Sequence, residues 1–191
     1  EGEKFKGPKD PGYEPGAAEG EAAGADSSVG GHRVSFYGIE TRTEKMLFVL
    51  DFSGSMNFEG GDVAKARKKI DVLYDEMKRT VAGLADGAKF NMIGFSSDVR
   101  LWKKGVVVRD AKTSKEAIDW VEKQKVVGST NIYDALETAF KLMGVGASAD
   151  KRYEPVYDTI FFMTDGVPTR GKVTDKAVIL SEVKRWKEAR R

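Results

Sequence analysis

The sequence predicts an α/β protein whose mostly parallel sheet is flanked by helices. Two observations carry that reading. Met46-Leu47-Phe48-Val49-Leu50 and Ile160-Phe161-Phe162-Met163 are unbroken apolar runs, the pattern of strands buried on both faces, whereas a half-exposed strand alternates. Between and after them, apolar residues recur by threes and fours, as in helices packed on a sheet. Each run also delivers an aspartate, Asp51 or Asp165, to its carboxyl end, the edge of an open α/β sheet where ligands bind.

The bounds set by composition agree. A chain of 191 residues, 40% of them hydrophobic, is expected to form one domain with a substantial core. Its 32 basic and 30 acidic side chains nearly cancel, which argues against a nucleic-acid-binding surface. Cysteine is absent, so disulfides and thiolate metal sites are excluded while the compartment stays open. No apolar run approaches the roughly 20 residues of a membrane helix, so no membrane contact is expected from this segment.

Taken in order, residues 1–32 read as a flexible linker: the first 31 hold eight of the 21 glycines and three of the five prolines, with almost nothing to bury. His32, the single histidine, reads as a surface residue at the linker's edge. Val34 to Ile39 is a short leading strand, and Thr41 to Lys45 a charged turn into the central strand. Asp62 is placed to cap a long helix with Val63, Ala66, Ile70, Leu73, Met77, Val81 and Leu84 inward, closed by Gly87. On it, Lys65, Arg67, Lys68 and Lys69 read as a solvated face paired with Asp71, Asp75 and Glu76. Phe90 to Phe95 is the second parallel strand, and Val99 to Trp102 returns antiparallel as an edge strand. Thr113-Ser114-Lys115-Glu116 has capping-box form and opens a short helix carrying Ala117, Ile118 and Val121. Another helix presents Ile132, Leu136, Ala139, Phe140 and Met143. A last one, from about Thr174, turns Ile179, Val183 and Trp186 inward.

The chemistry collects at the strand ends. Asp51, Ser53 and Ser55 follow the central strand at alternate positions; one carboxylate and two hydroxyls suit a hard cation such as Mg²⁺ rather than zinc or copper. Thr130, within Gly128-Ser129-Thr130-Asn131, stands ahead of a helix and by itself would read as an N-cap. Asp165 lies in Met163-Thr164-Asp165-Gly166. This set resembles the von Willebrand factor type A domain with its metal-ion-dependent adhesion site, whose pattern is Asp-x-Ser-x-Ser, a Thr in a second loop and an Asp in a third. Asp51, Ser53, Ser55, Thr130 and Asp165 match all five positions, in contexts typical of the family's bacterial members. The resemblance covers residues 45–191.

That resemblance implies a doubly wound, Rossmann-like sheet and a metal site of Asp51, Ser53, Ser55, Thr130 and Asp165 holding Mg²⁺ or Mn²⁺. It also implies a non-enzymatic, adhesion-type module at residues 33–191, whose protein partner presents an Asp or Glu to the ion. It leans towards an extracytoplasmic or cell-surface setting. Since the family's sheet has about six strands, further strands are expected beyond Arg191, and the chain reads as part of a larger one, cut within the domain. Loops 57–61, 104–110 and 166–173 are expected around the ion, with Asn131 and Asp134 bracing a helix and Gly54 permitting the turn. Two other classes compete. A metal-dependent phosphatase using an aspartyl nucleophile would need a second carboxylate where Ser53 stands. A structural module without metal would use the hydroxyls only to cap turns. Gly-x-Ser-x-Gly and a phosphate-binding Gly-x-x-x-x-Gly-Lys loop are both absent.

Overall fold

A computed structural model describes residues 31–60, 67–144 and 156–189. The expected linker falls almost wholly outside the described residues, as do Asp62, Val63, Lys65 and Ala66. In chain order the elements are β1 (His32–Phe36), β2 (Ile39–Thr43), β3 (Lys45–Asp51), a 3-10 turn (Gly54–Asn57), β4 (Glu59–Gly60), β5 (Arg67–Lys68) and α1 (Lys69–Gly83). They continue with β6 (Lys89–Phe95), β7 (Val99–Leu101), β8 (Val107–Val108), α2 (Ala111–Glu122), α3 (Ile132–Leu142), β9 (Thr159–Met163) and α4 (Lys176–Glu188).

The main sheet runs β7-β6-β3-β9. β3 pairs in parallel with β6 from Lys45↔Lys89 to Asp51↔Phe95, and with β9 from Met46↔Thr159 to Leu50↔Met163. β7 and β8 are antiparallel to β6, β7 at its carboxyl half and β8 at its amino end. The unbroken apolar run of β3 has a direct cause. Met46, Phe48 and Leu50 pack into one core with α1, α2 and the β1-β2 hairpin; Leu47 and Val49 pack into a second with α3 and α4. Helices cover both faces, so each side chain from Met46 to Asp51 is buried. The α/β, doubly wound class with an antiparallel edge strand is therefore correct.

Several local expectations change. The leading strand is a two-stranded hairpin, so Thr41–Thr43 belongs to β2 and is not a turn. Tyr37 (φ 50°) and Gly38 (φ 74°) make the tight turn, in the left-handed region that two-residue hairpins use. The long helix starts at Lys69, because Arg67 and Lys68 are extended and paired with Glu59 and Gly60. Its inner stripe of Ile70, Leu73, Met77 and Val81 is buried as the spacing predicts. Helix α2 is capped by Asp110, not by Thr113: Asp110 accepts from the Thr113 N–H at 2.7 Å and Thr113 Oγ1 accepts from the Asp110 N–H at 2.8 Å. β9 is buried only at Phe161, since among the described residues it has a neighbour on one side alone. Segment 104–110 contains β8, which pairs with the first residues of β6, so it lies at the sheet's amino end, away from Asp51.

Candidate metal centre

The carboxyl ends of β3 and β9 bring the candidate residues together. Asp51 closes β3 with its side chain fully buried, and Phe52 fixes the turn that follows. The Phe52 N–H donates to Phe95 O at 2.7 Å, and its ring packs edge-on to Trp120 over Gly94. A Cβ at Gly94 would stand 2.9 Å from that ring, so only glycine leaves it room. With Phe52 turned into the core, Ser53 and Ser55 share one side of the turn, their Oγ atoms 3.0 Å apart.

From there a row of polar contacts continues. Ser55 Oγ donates to Asp165 Oδ1 at 2.8 Å. Asp51 accepts from the Ser53 N–H at 2.7 Å on Oδ1 and from Thr164 Oγ1 at 2.6 Å on Oδ2. Gly166 places Thr130 in the same group, because a Cβ there would lie 3.6 Å from Thr130 Oγ1 and 3.8 Å from Ser55 Oγ. Thr130 is not a cap: Asn131 caps α3, accepting from the Asp134 N–H at 3.2 Å and donating to Asp134 Oδ2 at 2.9 Å. Asn131 and Asp134 brace the helix, as expected.

Cross-links hold the three loops in register. The Gly54 N–H donates to Gly128 O at 3.0 Å, and a Cβ at Gly54 would meet that oxygen at 3.3 Å; close approach, rather than a special φ, is what this glycine provides. Ser97 Oγ accepts from the Ser129 N–H at 3.0 Å, and Thr169 Oγ1 from the Thr130 N–H at 2.9 Å. The bonds made by Ser97, Thr164 and Thr169 were not legible in the sequence, since a hydroxyl in a turn carries no mark of a partner tens of residues away. The same holds for Lys69: its ammonium lies 2.7 Å from Asp165 Oδ2 instead of on a solvated helix face.

The electrostatics follow from this crowding. Burial pushes the Asp51 carboxyl above its ordinary range, and the negative Asp165 nearby adds to the rise; bonds from Thr164 and Ser53 oppose it. Among the described residues no three of His, Cys, Asp and Glu gather at one metal-sized site. The cluster is two carboxylates and three hydroxyls, all hard oxygen donors, a set that fits Mg²⁺ or Mn²⁺ and would hold zinc or copper poorly.

Comparison with known proteins identifies the family of the domain. A sequence model described as von Willebrand factor type A domain matches residues 46–167. The chain is 27% identical over 141 residues to inter-alpha-trypsin inhibitor heavy chain H4 of Homo sapiens, covering 74% of this chain and 14% of that protein. With heavy chain H1 of Mesocricetus auratus it shares 26% over 146 residues, 76% of this chain and 15% of that one. The chain thus spans about one-seventh of the length of these relatives. Among solved structures, a von Willebrand factor type A protein from Catenulispora acidiphila aligns with a TM-score of 0.47 at 16% identity, over 79% of this chain and 44% of that one. The PilB minor pilin from Streptococcus sanguinis aligns with a TM-score of 0.43 at 20% identity, over 66% and 31%.

Proposed function

The chain belongs to the von Willebrand factor type A domain family, and from that premise we propose that it is a metal-dependent protein-binding module. One observation carries the reading: Ser53, Ser55 and Asp165 form a continuous polar row beside a fully buried carboxylate, Asp51. A carboxylate withdrawn from water stays costly even with the bonds it accepts from the Ser53 N–H and Thr164 Oγ1, and a cation beside it would offset that cost.

Ser53, Ser55 and Thr130 would hold Mg²⁺ or Mn²⁺ through their hydroxyls, with Asp51 and Asp165 supplying negative charge beside them. When bound, such an ion offers an electron-poor coordination position that favours an incoming carboxylate over a neutral donor. The protein's own part is to keep three neutral hydroxyls on one side, so that most of the ion's charge stays uncompensated. Phe52, Gly54 and Gly128 fix that side by packing and close approach. An Asp or Glu of a partner protein is the matching group, and loops 57–60 and 166–173 are placed to add contacts, because one carboxylate–metal bond alone gives weak affinity. Binding is favoured over catalysis because Ser53 stands where an aspartyl phosphatase would carry its second carboxylate.

Two measurements test the reading. Calorimetry should show one Mg²⁺ or Mn²⁺ per chain. A peptide array of acidic sequences, probed with metal-loaded protein, should give signals that vanish with chelator, fall when the peptide's Asp becomes Asn, and weaken about tenfold for Thr130→Ala with folding unchanged. Signals indifferent to both chelator and Thr130→Ala would show that this edge of the sheet is not the docking site.

A further inference from the structure

We propose that Lys69 is a tethered cation that competes with the divalent ion for Asp165, so that metal affinity is set from the β5–α1 junction. The proposal rests on the metal-site reading above and deepens it. Both oxygens of Asp165 are engaged: Oδ1 accepts from Ser55 Oγ at 2.8 Å and Oδ2 from Lys69 Nζ at 2.7 Å. The lysine therefore neutralises the carboxylate that a divalent ion would need, through the very side chain bonded to a candidate ligand serine.

Its position is built, not incidental. Lys69 follows β5 directly, and its N–H donates to Phe58 O at 3.1 Å, which fixes where the side chain leaves the backbone. The stem lies over Gly60: a Cβ there would stand 3.3 Å from Lys69 Cγ and 3.5 Å from Cε. Neighbouring Arg67 behaves differently, pairing with Asp75 where both side chains are about half exposed. Lys69 also opens the first turn of α1, where the helix dipole disfavours a cation, so its placement there is offset by Asp165 and not by the helix.

Two arrangements are consistent with this geometry. Without metal, the ammonium sits on Asp165, whose side chain is 10% exposed. With metal, a dication beside the same carboxylate repels it, and Lys69, already 37% exposed, has an outlet. The adjoining cleft, about 460 Å³ and walled in part by Tyr37, Met56 and Val72, gives the stem room to swing. Metal entry thus releases a positive charge onto the surface beside the docking position, where it meets an acidic partner.

Mg²⁺ titration of the whole chain by calorimetry, with Lys69→Met and Lys69→Arg alongside wild type, tests this. Lys69→Met is expected to tighten binding roughly tenfold, a figure discounted for partial exposure, while Lys69→Arg stays near wild type. In wild type, acylation of Lys69 followed by mass spectrometry should quicken several-fold on adding Mg²⁺, a change that a merely structural lysine would not show. If wild type binds Mg²⁺ and Lys69→Met, folded by circular dichroism, binds no more tightly, the competition is refuted and the metal site stands. If neither protein binds metal, the site reading falls and the competition with it.

Discussion

Two aspartates at opposite ends of the same parallel strands are treated in opposite ways. Asp158, just before β9, accepts from the Thr43 hydroxyl and from the Glu44 and Lys45 N–H groups, the latter two at 2.9 and 3.0 Å. Its own N–H returns a bond to Lys45 O at 2.9 Å, so it stitches the starts of β3 and β9 together. Burial alone would raise its carboxyl, but these bonds outweigh it and hold the group below the usual range. Asp51, at the finishing end of β3, is fully buried and pushed the other way. A carboxylate saturated by local donors is a structural staple; one buried deeper with fewer donors is suited to recruit charge from outside.

The sharpest way to break this contrast is Asp51→Asn. Metal affinity should fall at least hundredfold, while the chelator-treated variant melts a few degrees above wild type at neutral pH, because a buried charge has been removed. Equal affinity in calorimetry would end the distinction between the two aspartates. Asp158→Asn should do the reverse: about 1–2 kcal/mol of stability lost in urea unfolding, allowing for partial exposure, with metal affinity intact. A stable Asp158→Asn protein would mean that the amino-end staple contributes nothing beyond what solvent offers.

The smallest effect lies in pH dependence of the chelator-treated protein, and its sign separates the pair. Asp158 has a depressed folded value, so its contribution is present above the unfolded value near 3.8 and lost as pH falls through the folded one. Asp51 has a raised folded value, so the native state binds its proton more tightly than the unfolded chain does. Metal-free stability therefore drops as pH rises from about 3.8 through the raised value. The gap between wild type and Asp158→Asn should close in acid below 3.8, and the advantage of Asp51→Asn should shrink as pH falls towards that value. Thermal melts across acid pH read both; parallel curves would show that neither carboxyl is perturbed.

What the sequence revealed of this site follows from how local each signal is. Asp51, Ser53 and Ser55 are adjacent by spacing and follow a run whose burial is written in its composition. Asp165 repeats that signature, and Thr130 stands at the entry of an amphipathic helix. Lys69 was hidden by an error of one structural step: the periodicity of α1 extends smoothly back to Val63, yet Arg67 and Lys68 pair with Glu59 and Gly60. That pairing turns the following lysine towards Asp165, and no local pattern encodes a contact 96 residues distant. Thr164 was in view as part of the strand end, but its bond to Asp51 crosses 113 residues. The hairpin turn at Tyr37 was concealed because tyrosine is a poor advertisement for positive φ.

The unequal pairing of β3 and β9 sets a hierarchy of opening. β3 is bonded along both edges and enclosed by two cores, so its amides should resist solvent exchange until the whole domain unfolds. β9 is bonded on one edge among the described residues and only Phe161 is deeply covered, so its amides should exchange through smaller excursions. Asp51 closes the first strand, and Asp165 follows the second by two residues. The two carboxylates are therefore anchored to parts of the protein that breathe at different rates, and anything bridging them ties the looser strand to the tighter one.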